Sequence, residues 1–75
     1  MEDFNFNDDQ MRLIARALEH EIQFTAKMLE QANLDYTTSR QLNLQMINLV
    51  SIVLNFKRFL TPSFKLFLMT YLSTH

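Results

Sequence analysis

At 75 residues the chain has room for one compact domain and no second. Apolar residues make up 48%, charged residues 20%, and the formal net charge is −1, a balance that excludes a disordered acidic tail and a strongly basic nucleic-acid domain. Glycine and cysteine are both absent, which excludes glycine-rich phosphate loops, dinucleotide fingerprints, calcium loops, disulfides, thiolate metal sites and thiol catalysis.

In chain order, the first segment is Met1-Glu-Asp-Phe-Asn-Phe-Asn-Asp-Asp, acidic and carrying two aromatics. Lacking an apolar stretch, it is not expected to act as a secretory leader, and a cytoplasmic setting is expected. Residues 1–6 read as a short arm on a single helical domain spanning 1–75. A docking role would have Phe4 and Phe6 fill pockets of a protein target while Asp8 and Asp9 meet its bases. The plainer account gives Phe6 to a hydrophobic staple with Met11 and packs Phe4 back on the domain.

A first helix is expected over about 8–33. Asn7 is a good N-cap, Gln10 completes a capping box, and Asp8 and Asp9 suit the positive end of the helix dipole. Met11, Ile14, Ala15, Leu18, Ile22, Thr25, Ala26 and Leu29 recur at three and four residues, forming one buried face. Arg12, Arg16, Glu19, Gln23, Lys27 and Glu30 fall opposite, and Leu13, Ala17, Phe24 and Met28 form a second, thinner apolar stripe. Asn33 is the expected stop, because asparagine tolerates the left-handed conformation.

A second helix is expected over about 36–60, started by Asp35 or by the capping box Thr38 to Gln41. Its apolar residues reach nearly all round the cylinder, and its polar remainder is a narrow strip. Thr61-Pro62 then marks a break, with Thr61 as N-cap and proline in the first turn of a third helix over about 62–74. That helix is again apolar on most sides, with Phe64, Leu66, Phe67, Leu68, Met69, Tyr71 and Leu72.

The resulting fold class is all-α, three helices. From Leu42 onward 19 of 34 residues are large and apolar. Each such side chain left fully exposed forgoes about 1.5–3 kcal/mol of burial, so four or five of them rival a typical net stability of about 5–15 kcal/mol. An intertwined or side-by-side helical homodimer is therefore expected, with Leu49, Ile52, Val53, Phe56, Phe59, Phe64, Phe67 and Tyr71 as its self-association residues. A membrane span is not expected, since Asn43, Gln45, Asn48, Ser51, Asn55, Lys57 and Arg58 interrupt the oiliest window.

Charge is divided along the chain. Residues 1–35 hold three bases and eight acids, net −5, whereas residues 36–75 hold four bases and no acid, net +4. Those bases are Arg40, Lys57, Arg58 and Lys65. All four are candidate phosphate contacts, and Arg40 and Arg58, 18 residues apart, would share a face of a continuous helix. Alternatively the same bases could meet the acids of the first helix.

Catalytic chemistry has little to rest on. Glu19-His20-Glu21 groups carboxylates with an imidazole, but neighbours on a helix diverge by about 100°, and no second histidine stands at helical spacing. A solvated helix face is the expected account of Glu19 and His20, and a rim carboxylate that of Glu21, the alternative being an ion pair across an interface with Lys57 or Arg58. No nucleophile stands with a base, and neither metal nor cofactor is expected. The function expected is a small non-enzymatic regulator or adaptor that binds another protein, in the manner of an inhibitor, immunity or antitoxin-like factor. Two alternatives are a dimeric DNA-associated regulator using the basic half and a peripheral membrane protein presenting the third helix.

Overall fold

A computed structural model describes residues 5–31 and 33–74. Its helices are α1 (Asp8–Leu29), α2 (Tyr36–Val53) and α3 (Pro62–Thr74), with a 3-10 segment over Leu54–Phe59 between α2 and α3. No strand occurs among the described residues, so the expected all-α, three-helix class holds.

The helix starts follow their sequence signals. The Asn7 side chain accepts from the Gln10 N–H at 2.8 Å, and the Gln10 side chain accepts from the Asn7 N–H at 3.0 Å, a complete capping box. Asp35 caps α2, accepting from the Thr38 N–H at 2.7 Å. The Thr61 hydroxyl accepts from the Phe64 N–H at 3.3 Å at the head of α3.

Helix ends depart from expectation. The first helix stops at Leu29, not near residue 33. The N–H groups of Glu30 and Gln31 bond to the carbonyls of Lys27 and Met28, both at 3.2 Å. This i→i−3 tightening satisfies the last carbonyls without any left-handed residue, and none occurs among the described residues. Asn33 therefore plays no left-handed role.

The second helix ends at Val53 instead of running to residue 60, and Phe56 breaks the regular geometry with φ −116° and ψ 24°. The reason lies in periodicity. Over six residues an α-helix would leave Phe59 about 120° away from Val53. At about three residues per turn, Val53, Phe56 and Phe59 line up instead. Val53 and Phe59 are buried, and Phe56 is half-buried against the same core. Tightening the chain thus brings Phe59 inside.

The core joins all three helices: Ala15, Ile22 and Ala26 from α1, Met46 and Val53 from α2, and Phe64 and Leu68 from α3, with Phe59 and Leu60 from the connection. The α1 face read from the sequence is the buried one, Thr25 included. In α3, which begins beside Glu19, Tyr71 shares a crevice with Ala26, Leu29 and Asn43, so α3 runs alongside α1 in the same direction. The chain spans 42 × 31 × 16 Å. Its radius of gyration is 14.0 Å, against about 11 Å for a compact chain of this length.

Candidate docking surface

Two features stand out: a buried polar joint where α3 meets α1, and an uncovered apolar face on α2 and α3. The joint is centred on Glu19, only 7% exposed. Its carboxylate accepts from the Arg16 guanidinium at 2.8 Å, from the Thr61 N–H at 2.7 Å and from the Thr61 hydroxyl at 3.3 Å. Arg16 also donates to the Phe59 carbonyl at 2.8 Å. One ion pair on α1 therefore holds both sides of the α2–α3 connection. It supplies the negative charge that the first turn of α3 lacks and a donor for a carbonyl at the end of the 3-10 segment.

This corrects the expectation that Glu19 belongs to a solvated face. The signal was present in the spacing, since Glu19 lies in the seam Ala15, Glu19, Ile22, Ala26. The other half of the joint, Thr61, stands 42 positions away. His20 and Glu21 are exposed, and the Glu21 carboxylate accepts from Gln45 of α2 at 3.3 Å instead of pairing with Lys57 or Arg58. Gln45 also donates to the buried Thr25 hydroxyl at 3.2 Å. No buried side-chain nitrogen or oxygen among the described residues lacks a partner.

The apolar face lies outside this core. Tyr36, Leu44 and Ile47 on α2 and Leu54 at its C-cap are all exposed and fall within an arc of about 80°. On α3, Leu66 and Met69 point away from the buried pair Phe64 and Leu68, while Leu72 lies one turn beyond Leu68 and is about half exposed. An open groove of about 510 Å³ joins the two helices, lined by Met46, Ile47, Val50, Tyr71 and Leu72 with Asn43 and Ser51 at its polar positions. Ile47 is 61% exposed and Met69 67%.

The expected self-association set divides. Val53, Phe59 and Phe64 are buried in the chain's own core. Leu49, Phe56, Phe67 and Tyr71 are half-buried around it, with Phe67 and Tyr71 stacked at 6.0 Å between ring centroids. Ile52 alone of the eight is exposed. Outside that set, Tyr36, Leu44, Ile47, Leu54, Leu66, Met69 and Leu72 are exposed as well, as are Leu13 and Phe24 on α1. Sequence pattern did not separate the two sets, because both helices are apolar on most sides.

Of the expected protein-contact residues, Phe4 lies outside the described residues. Phe6 is about half exposed, Asp8 and Asp9 are exposed in the first turn of α1, and Asp9 pairs with Arg12 at 3.3 Å.

Arg40, Lys57, Arg58 and Lys65 are exposed, and none pairs with a described acid. The charges of the two halves are therefore not neutralised across α1 and α2. Nor do Arg40 and Arg58 share a face. The tighter winding after Val53 turns Arg58 about 100° from the direction a continuous helix would give, and its guanidinium lies 5.0 Å over the Phe59 ring. Among the described residues no three of histidine, aspartate and glutamate converge on a metal position, and no helix is long and apolar enough to cross a membrane.

No known protein family matches the chain, and neither do the curated proteins or solved structures with which it was compared.

Proposed function

We propose that this chain is a small non-enzymatic regulatory or adaptor protein of the cytoplasm, acting by protein–protein binding as an inhibitor, immunity or antitoxin-like factor and self-associating as a homodimer. One observation carries the reading: large apolar side chains of α2 and α3 remain uncovered after the three helices have filled their own core. Single exposed leucines are ordinary. A row of them beside a groove is the usual mark of an interaction surface. Phe6, half exposed beside Asp8 and Asp9, supplies a second, acidic contact for a different protein target.

Light scattering on a sizing column tests the self-associating part, with duplex DNA at low and high salt and anionic vesicles as further arms. The reading expects a dimer of the 9.0 kDa chain, no salt-dependent DNA shift and no flotation with lipid. A monomer that floats with vesicles would replace it with a peripheral membrane role. A salt-sensitive shift of duplex DNA would replace it with a DNA-associated regulator.

A further inference from the structure

The geometry points to a specific pairing: two copies meet through the outer faces of α2, antiparallel, with the two-fold axis at Ile47. This rests on the self-association proposed above and adds which face is used and in which direction. Register carries the first part. A two-fold at Ile47 sets Ile47 on Ile47 of the second copy, Asn43 opposite Ser51, and Arg40 opposite Leu54. Apolar meets apolar at the centre, two short polar side chains can bond at its flank, and the Arg40 stem covers a leucine while its charge reaches water.

Charge carries the direction. α2 starts with the ionised N-cap Asp35 and is followed by Lys57 and Arg58. An antiparallel pair sets Asp35 of each copy level with the Lys57–Arg58 segment of the other; Arg58 itself turns off this face towards Phe59, so the opposite charges attract along the seam without forming an ion pair. The same pairing also holds the two Arg40 side chains about 21 Å apart along the axis, from 14 residues at about 1.5 Å each, which exceeds two Debye lengths of about 8 Å. A parallel pair would place Arg40 on Arg40, and α2 carries no acidic side chain to offset them.

Area decides how much of the surface takes part. From Tyr36 to Leu54 the stripe is about 27 Å long and one helix wide, roughly 300 Å² in projection. A stable interface needs about 800 Å² from each partner. The stripe alone falls short of that, and covering Leu72, across the groove from Ile47, and Met69 beyond it enlarges the contact.

Because the chain has no cysteine, single cysteines read the pairing directly. Under mild oxidation of the full chain, Ile47→Cys is expected to give a disulfide-linked dimer. Asn43→Cys alone is expected to give none, its two copies lying about 12 Å apart along the axis, beyond disulfide reach. An equal mixture of Asn43→Cys and Ser51→Cys is expected to cross-link. Ile47→Glu, at an exposed position and checked for unchanged helicity, is expected to weaken dimerisation roughly 100-fold in sedimentation equilibrium. Self-linking of Asn43→Cys would overturn the antiparallel direction. An unaltered dimer in Ile47→Glu would overturn the face while leaving self-association standing, and a wild-type monomer would remove both.

Discussion

The joint at Glu19 and the outer face of α2 and α3 invert the usual arrangement in opposite ways. At the joint a carboxylate is taken out of water and every one of its needs is met inside the chain, by Arg16 and by Thr61. On the outer face leucine, isoleucine and methionine stay in water, and nothing in the chain meets their need. The first arrangement is complete and therefore architectural. The second is incomplete, which is why function is sought there and not among the charged residues.

The sharpest way to break this contrast is to damage the interior and the exterior separately. Phe64→Ala removes a buried ring that anchors α3, and is expected to cost about 3–5 kcal/mol in urea unfolding. Glu19→Ala leaves Arg16 and the Thr61 N–H without their acceptor. Full loss of one partner from a buried pair costs about 3–5 kcal/mol, and the half-exposed Arg16 reduces this to about 2 kcal/mol. Restoring only half of that loss with Glu19→Gln would identify the charge, and not the shape, as what holds α3.

On the outer face the expectation reverses. Leu66→Ser changes an exposed side chain and should leave unfolding of the isolated chain within about 0.5 kcal/mol. If it destabilises as much as Glu19→Ala, the α3 surface is covered from within and the contrast fails.

The smallest effect belongs to Asp35. Hydrogen bonds from the Thr38 side chain and backbone hold its carboxyl below the ordinary value of 3.8. A lowered carboxyl contributes stability that is present above the unfolded value and lost as pH falls through the folded one. Helicity of α2 should therefore decline slightly in strong acid, and Asp35→Asn should flatten that part of the acid titration measured by circular dichroism.

How legible all this was depends on the range of each signal. The starts at Asn7, Asp35 and Thr61 were readable because a cap and its partner lie within three residues. The ends were not. Without glycine, α1 closes by switching its last hydrogen bonds from i→i−4 to i→i−3, which leaves no mark in residue type. The 3-10 segment was hidden for a related reason: Leu54–Phe59 has good helical composition, and only the demand that Phe59 face the core tightens it. Glu19 was misplaced because a wheel sorts residues by polarity, while its burial depends on Thr61 arriving from far along the chain. For the candidate surface, the apolar excess of the second half was visible at once. Which members would be consumed by the core was not, since Val53 and Ile52 differ only in direction.

Thermal unfolding followed across protein concentrations from about 1 to about 100 μM tests the central claim most directly. If a second copy covers the outer face of α2, unfolding is linked to dissociation and the melting temperature rises steadily with concentration. A melting temperature that stays constant over that range would contradict the account.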